Sequence, residues 1–534
     1  MKNRQLFIYI FLLAISFLTV SCYKDKSTEG SIIGNIVFTF PDNYVQKDGS
    51  IRIEASNGSI LNLEPIVEQK GVPNSDLSYE WEVSLYPVGA LNTTYSKLSE
   101  NLALSAKINQ QPSVKPYMLV LKVTDNRNGI VFYKPCYLYV SSGLGDGVII
   151  ADTKDNVTGD LSLVRSKLVS KNYTGEIIYK RDFYSLNNNT AFDGIINQVQ
   201  HGIYGNYSDR IFPIYVSGNK QAQLINSSSY TVIYPKERLF LGNIDGEITN
   251  FGCSNNCMYA VCGEDIFFAN YGSPSFGDPL NYVKPSLIAS KKHVNKYVLS
   301  RQSVYTFVDE TSGIMYSITG FGQRSITPVL KGTNVNAYDP AMFSGYKEIG
   351  SFVGKQQDNQ DNEQFHIMER DGSIGVYGIS SAYNSETGAY EYITSRACQA
   401  SGCEDIANAI AFEGCYSRDI FYYATKSKVY ACIIGSNSVS EQVVYSAESG
   451  NEITCIKMFR EPMIEYFDNT TIEEELHPGN DNQLMIAVYN TSKKEGTLHI
   501  LPITSASGIL GAVNSENTYT GFGKITALGT QSKQ

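Results

Sequence analysis

Short stretches in which hydrophobic and polar residues alternate, separated by turn-forming residues, recur along most of the chain. Tyr79, Trp81 and Val83 alternate with polar residues, as in a strand that has one buried face. The segment 117–123 repeats this pattern. Helical periodicity is almost absent, and only residues 404–412 are long enough for a short helix, although they equally fit the approach to a strand. The pattern predicts an all-β protein.

The first group of strands occupies residues 32–142. These short strands are separated by turns such as residues 73–76 and 126–129, and the single tryptophan, Trp81, lies on the inner face of a central strand. This arrangement predicts an immunoglobulin-like β-sandwich. The glycine-rich segment 143–147 follows. It lacks the glycine spacing and the helix of a phosphate loop, which predicts a hinge between domains.

The second region, residues 143–534, contains seven predicted hairpins whose starts are spaced by roughly 45 to 65 residues. They cover 148–164, 212–225, 258–269, 304–318, 365–377, 420–433 and 484–501. Spacing of this kind is typical of propeller blades with long loops. The pattern predicts a β-propeller-like domain of about seven blades, and a pair of further sandwiches is the main alternative.

The N-terminus has the features of an export signal. A basic start, residues 1–4, precedes an apolar run, 6–20, which is shorter than the roughly 20 residues that span a bilayer. Small residues then lead to Cys22, as in a bacterial lipoprotein signal. We therefore predict a signal peptide over 1–21, acylation of Cys22 and a tether over 22–31. An ordinary secretory signal with a chance cysteine is the alternative. The lipid would be the only membrane attachment, since no later run reaches 18 apolar residues.

The chain has ten cysteines, so nine remain when Cys22 is set aside, and an odd number cannot pair completely. Most of them form two clusters: Cys253, Cys257 and Cys262, and Cys398, Cys403 and Cys415. Neither cluster has the C-x₂-C pair of common zinc sites or a histidine between its members. Structural thiols or local disulfides are therefore favoured over a metal site.

Composition and motifs exclude several functions. The 43 basic and 53 acidic residues give a net charge of −10, which argues against a nucleic-acid-binding protein. The zincin pair, the nucleophile elbow and the Walker loop are all missing, so we predict no enzyme activity, cofactor or metal. His366 and His499 lie on predicted strands and are expected to be structural. The acidic segments 358–363 and 473–482 are expected to be solvated loops rather than calcium sites.

Aromatic residues in turns are the best candidates for ligand binding. Rigid rings beside hydrogen-bonding groups suit peptides or sugars. The predicted ligand-binding residues are Tyr271, Phe276, Phe321, Arg324 and Tyr338. The alternative is that these rings simply cover the edges of loops.

A family resemblance rests on several of these segments. A Tyr-x-Trp strand at 79–81 and a strand that ends in Val-Thr-Asp at 123–125, followed by a glycine turn, resemble a PKD-type domain. The chain also has the Cys-Tyr-x-Asp-Lys start at Cys22 and a β-rich region that opens at 145–152. In this order the parts resemble the PKD-like family lipoproteins of Bacteroidota. Such lipoproteins are typically encoded beside starch-utilisation-type importers, in which a TonB-dependent barrel carries a lipoprotein lid.

The resemblance implies a role in nutrient capture at the cell surface. We therefore expect a non-catalytic lipoprotein that serves as a binding or scaffold subunit of an outer-membrane uptake system for peptides or glycans. It would be anchored in the outer membrane by lipid and face the cell exterior. Its partners would be the TonB-dependent importer with its lid and a peptide or glycan ligand. A surface hydrolase and an adhesin or structural surface protein are the alternatives, because fold alone does not separate these classes.

Overall fold

Strands make up nearly all of the regular structure, as the sequence predicts. The computed structural model describes residues 35–532 except for 90–93, 111–112, 114, 142–144, 172, 203–212, 228, 241–245, 255–256, 264, 271–296, 302–303, 320–324, 357–361, 386–388 and 463–475. The chain divides into two units, Met1–Val140 and Ser141–Gln534, close to the boundary predicted at residue 143. Within the described ranges, no helix combines the length and hydrophobicity that a membrane crossing needs.

The described part of the first unit consists of strands and two 3-10 turns, Asp42–Tyr44 and Asn74–Asp76. Its strands are β1 (Ile36–Thr39), β2 (Arg52–Ser56), β3 (Ile60–Leu63), β4 (Ile66–Gln69), β5 (Leu77–Ser84), β6 (Tyr95–Ser99), β7 (Leu104–Lys107), β8 (Tyr117–Asp125) and β9 (Ile130–Ser141). A five-stranded sheet has the order β2-β9-β8-β5-β6, and two further pairs are β1-β4 and β3-β7.

One hydrophobic core is shared by the three sheets of this unit. Trp81 is completely buried there, and its indole Nε1 donates a hydrogen bond to the Leu102 carbonyl at 3.1 Å. Phe40 packs edge-on against it, with 6.4 Å between the ring centroids. On β8 every second residue from Tyr117 to Asp125 is buried. The predicted inner faces of both strands are therefore confirmed.

Among its described residues, the second unit has one short α-helix, α1 (Phe183–Asn188), and the 3-10 turns Lys236–Arg238 and Ile406–Asn408. Its first strands are β10 (Gly147–Thr153), β11 (Thr158–Arg165), β12 (Ile178–Lys180), β13 (Phe192–Asp193), β14 (Ile196–His201), β15 (Pro213–Gly218), β16 (Ala222–Asn226), β17 (Val232–Tyr234), β18 (Ile248–Ser254), β19 (Cys257–Cys262), β20 (Asp265–Asn270), β21 (Leu299–Arg301), β22 (Val304–Asp309), β23 (Ile314–Thr319) and β24 (Ser325–Pro328).

The strands that follow complete the unit. They are β25 (Lys347–Gln356), β26 (Asn362–Arg370), β27 (Ser373–Asn384), β28 (Ala389–Gly402), β29 (Ala411–Gly414), β30 (Ile420–Ala424), β31 (Lys428–Ile434), β32 (Ser438–Ser446), β33 (Asn451–Met458), β34 (Gln483–Asn490), β35 (Glu495–Pro502), β36 (Thr518–Phe522) and β37 (Lys524–Gln531).

All seven predicted hairpins are present. They are β10–β11, β15–β16, β19–β20, β22–β23, β26–β27, β30–β31 and β34–β35. Each hairpin belongs to one antiparallel group of strands. The groups run β37-β10-β11-β12, β14 to β17, β18 to β20, β21 to β24, β25 to β28, β29 to β32 and β33 to β36. Their first strands, β37, β14, β18, β21, β25, β29 and β33, contact one another in that order and close into a ring. This is a β-propeller-like arrangement.

The ring is closed by the end of the chain. Strand β37 pairs antiparallel with β10, so that Gln531 lies opposite Gly147 and Lys524 opposite Thr153. Burial of Val148, Leu498 and Leu528 in one cluster joins this sheet to the preceding one. The last strand therefore supplies the inner strand of the first sheet.

Two groups are fused into one sheet. The outer strands β28 and β32 pair in parallel, with Gln399 opposite Ser438 and Gly402 opposite Ser440. The result is one eight-stranded sheet, whereas the other groups form separate sheets of three to five strands. Residues 404–412, between the two groups, contain the 3-10 turn and the start of β29, so the strand alternative for this segment holds and the α-helix does not form.

Candidate functional site

A cavity of about 660 Å³ lies at the centre of the ring in the second unit. Apart from Tyr259 on β19, its lining residues come from the seven inner strands, β14, β18, β21, β25, β29, β33 and β37, and from the segments next to them. Each inner strand turns one edge towards this space. The cavity therefore follows directly from the ring and gathers residues that lie far apart in sequence, from Asn197 to Thr530.

Much of the polar lining of this cavity holds neighbouring inner strands together. The Gln200 amide donates to the Cys253 carbonyl at 2.7 Å, and the Asn250 amide donates to the Val298 carbonyl at 3.2 Å. The Ser351 hydroxyl donates to the backbone oxygen of Tyr297 at 3.1 Å. Each bond joins one inner strand to the next element of the ring. The hydrogen-bonding groups of these side chains are therefore used to hold the ring together, and a ligand would have to compete for them.

A charged group stands on the wall formed by β29 and β33. The Lys457 ammonium lies 2.9 Å from one Glu413 carboxylate oxygen, and Arg460 Nη1 lies 3.5 Å from the other. The Glu413 carboxylate raises the pKa of Lys457. Glu413 is 12% exposed, whereas the Lys457 side chain is 48% exposed. Lys457 is thus the cation of this wall that a ligand can reach.

Arg460 is held on several sides. Its guanidinium lies over the Tyr416 ring, 3.6 Å from the centroid, which is cation–π geometry. Its Nε donates to Asp481 at 3.0 Å, and it also donates to the Gly414 carbonyl. Asp481 in turn accepts a bond of 2.9 Å from the Tyr416 amide and one of 2.8 Å from the Ser417 hydroxyl. Asp481, from the second predicted acidic loop, is therefore committed to internal donors.

The first predicted acidic loop supplies a second network. Glu363 is 2% exposed and accepts from Arg396 Nη2 at 2.7 Å, and Asp419 accepts from the same nitrogen at 2.8 Å. Lys355 completes the group with a contact of 3.1 Å to Asp419. The expectation of a solvated loop is wrong for Glu363 because the fold brings Arg396, on β28, against it. The network links the two fused groups of strands.

A Thr–His–Glu chain has the spacing of a catalytic triad. His366 Nε2 lies 3.0 Å from the Thr306 hydroxyl, and His366 Nδ1 lies 2.6 Å from Glu348 Oε1. Burial raises the pKa of Glu348. Thr306 and His366 are completely buried and Glu348 is 2% exposed, so no substrate reaches them. The predicted structural role of His366 is confirmed. The same holds for His499, whose Nδ1 lies 3.0 Å from the Thr518 hydroxyl.

The predicted aromatic site is only partly described. Tyr271, Phe276, Phe321 and Arg324 lie outside the described residues, as does Cys22. Tyr338 is only 7% exposed, and its hydroxyl donates to the Gly378 carbonyl at 3.1 Å. The prediction that this ring faces a ligand is wrong, because it packs into a cluster with Phe343 and Tyr377.

In the second sequence cluster, Cys398, Cys403 and Cys415 are free thiols. Cys253, Cys262, Cys398 and Cys415 are buried, and Cys403 is half-buried. The Cys398 thiol donates to the Gly435 carbonyl. Cys398, Cys403 and Cys415 are therefore structural thiols and do not form a local disulfide.

Comparisons with known proteins give only distant similarities. No family model and no curated protein matches the chain. Among solved structures, apo AztD from Citrobacter koseri has 10% identity and a TM-score of 0.35, with 85% of this chain and 98% of that chain covered. Hsv2 from Kluyveromyces lactis has 10% identity and a TM-score of 0.34, with 69% and 99% covered. Similarities of this size assign no family and no activity.

The charged wall was not predicted from the sequence. Glu413, Lys457 and Arg460 come from two inner strands and the turn after them, and only the ring brings them together. One signal was present, since Lys457 interrupts the hydrophobic end of β33 between Ile456 and Met458. A charged residue at such a position often marks a polar cavity or an ion pair.

Proposed function

We propose that this protein is a lipid-anchored binding subunit of a nutrient uptake system at the cell surface, and that it binds short peptides in the central cavity. The observation that carries the proposal is the exposed Lys457 ammonium on the cavity wall, which is paired with Glu413. A cavity of about 660 Å³ falls in the size range of small-ligand sites, roughly 300–1,000 Å³.

The charge pair favours a peptide over a neutral glycan. A short peptide carries a carboxylate, which can pair with Lys457, and an ammonium group, which can pair with Glu413. The peptide would thereby replace the ion pair that the two side chains form with each other. Tyr416 adds an aromatic ring to the same wall, beside Arg460. The aromatic turns around Tyr271, Phe276, Phe321 and Arg324 remain a predicted outer part of the site.

The proposed architecture is an immunoglobulin/PKD-like domain followed by a seven-bladed propeller. Support comes from the shared core around Trp81 in the first unit and from the seven strand groups that follow one another round the ring. In this scheme the propeller binds the ligand. The importer and its lipoprotein lid are the proposed partners, as the family resemblance implies.

Peptide binding is tested with Lys457→Met. We expect the full chain, purified in detergent, to bind members of a library of tri- to hexapeptides in calorimetry. The substitution should weaken this binding about tenfold or more, because a charge-assisted hydrogen bond is lost. Lys426→Met is the matched control, since Lys426 is 75% exposed on a hairpin turn and should change nothing.

Two results would contradict peptide binding in the cavity. Equal affinity in the Lys457 variant and the parent would place the site elsewhere. Binding of soluble glycans but not of peptides would replace the proposed ligand class. Release of cleaved fragments during the titration would favour the hydrolase alternative, and binding only to host-cell surface proteins would favour the adhesin.

Anchoring through Cys22 is tested separately with Cys22→Ala. We expect the variant to leave the membrane fraction, because the acyl chains would be the only attachment and each buried CH₂ contributes about 0.8 kcal/mol. The assay is fractionation of cells that lack the importer, with Cys455→Ala as a control for the loss of a thiol elsewhere. Unchanged membrane retention of the Cys22 variant would refute the lipoprotein hypothesis.

A further inference from the structure

Two thiols and a carboxylate meet where the two fused groups of strands join. The ligand atoms of Cys403, Cys432 and Glu441 all lie within 4.8 Å of one another. Cys432 on β31 and Glu441 on β32 are direct cross-strand partners, so both side chains leave the sheet on the same face. Cys403 follows β28 directly, and the parallel pairing of β28 with β32 brings it to the same place. The three side chains therefore come from different parts of the fold, namely β31, β32 and the residue after β28.

The carboxylate is oriented by neighbours outside the group. The Tyr423 hydroxyl donates to Glu441 Oε2 at 2.5 Å, and the Glu404 amide donates to Glu441 Oε1 at 2.8 Å. Hydrogen bonds of this kind fix metal-ligating carboxylates in known sites. Tyr423 is itself completely buried and stacked on Tyr430, with 4.6 Å between the centroids. The oxygen atoms are thus held in place before any ion arrives.

We propose that Cys403, Cys432 and Glu441 form a binding site for a thiophilic divalent cation of the Zn²⁺ type. Thiolates and carboxylates are both ligands of this ion, and a water would fill the fourth tetrahedral position. Bond lengths of about 2.3 Å to sulfur place two thiolates about 3.8 Å apart, so the three groups need only a small closure from their present separation.

The chemistry of binding is proton exchange. A bound cation replaces the protons of both thiols, and each proton goes to solvent or buffer. No oxidant takes part.

The test uses Co²⁺ and Zn²⁺ alone, added to the reduced full chain in detergent. We expect one Co²⁺ per chain, a thiolate-to-cobalt charge-transfer band in the near ultraviolet, and loss of that band when Zn²⁺ is added. Cys432→Ser and Cys403→Ser should each weaken Zn²⁺ binding at least tenfold. Tyr423→Phe should weaken it about tenfold, because it removes only a bond to the ligating carboxylate. Cys455→Ser, at another half-buried thiol, should have no effect.

Three results would overturn the site. The first is a charge-transfer band that persists in both cysteine variants. The second is full Zn²⁺ affinity in both the Glu441→Gln and the Tyr423→Phe variant. The third is a Cys403–Cys432 disulfide, with no metal present, in protein isolated without reductant. The Tyr423 and Glu441 variants keep the test decisive if a cysteine variant fails to fold, because they leave both thiols in place.

Discussion

Deletion of residues 524–534 is expected to abolish folding of the second unit. Strand β37 forms the inner strand of the first sheet, and without it β10 becomes an unpaired edge inside the ring. Ile525 and Leu528 also leave the core. Each such side chain contributes about 1.5–3 kcal/mol on burial, and the backbone pairing is lost as well. The sum approaches the whole stability of a typical domain, about 5–15 kcal/mol.

The measurement is limited proteolysis together with circular dichroism. We expect rapid digestion of the second unit in the deleted chain. The register suggests a rescue variant, because Gln531 lies opposite Gly147. A chain that carries the 524–531 segment and a short turn immediately before residue 145 should fold again, since β37 and β10 then form a hairpin. A deleted chain with unchanged protease resistance and melting temperature would contradict the closure mechanism.

Replacement of Trp81 by alanine is expected to cost the first unit about 3–5 kcal/mol of unfolding free energy. The side chain is completely buried, and the variant loses the indole bond to Leu102 as well as the contact with Phe40. Urea unfolding of the full chain, followed by circular dichroism, measures the change. Fluorescence is unsuitable because the substitution removes the only tryptophan.

Tyr133→Ala serves as the matched control for Trp81. This ring lies on β9 of the same unit and is 59% exposed, so its removal should change stability by about 0.5 kcal/mol or less. Trp81→Phe should fall between the two, because it keeps a ring and loses the hydrogen bond. A cost below about 1 kcal/mol for Trp81→Ala would contradict the shared core of this unit.

Local patterns explain why the hairpins were predictable and the ring was not. In each hairpin, residues close in sequence pair across a short turn, so alternation and turn residues are enough to locate it. Closure of the ring places Ile525 opposite Asp152. These two residues lie far apart in the sequence, so no local sequence pattern predicts their contact. The cavity depends on this closure. Its charged wall was therefore beyond prediction even though Lys457 stood out among hydrophobic neighbours.

Turn motifs in the sequence predicted the shape of the backbone correctly but did not predict whether the side chains are exposed. The Tyr-Asp-Pro sequence at Tyr338 does form a turn, in which the Asp339 side chain accepts from the Ala341 amide at 2.9 Å. The tyrosine ring nevertheless points inward and packs against Phe343 and Tyr377. The helix Phe183–Asn188 was missed for a related reason, since six residues are too few to show a helical period.

The fused eight-stranded sheet has a consequence for how the ring opens. The pairing of β28 with β32 and the Arg396 bridge from Glu363 to Asp419 cross-link two neighbouring groups of strands. We expect these two groups to move together, so that fluctuations that open the central cavity occur mainly at the contacts between the other groups. We expect amide hydrogens in these two groups to exchange with deuterium more slowly than those of β14 or β21. The ring would then have one rigid part, formed by the fused sheet, and a more flexible part formed by the remaining groups of strands.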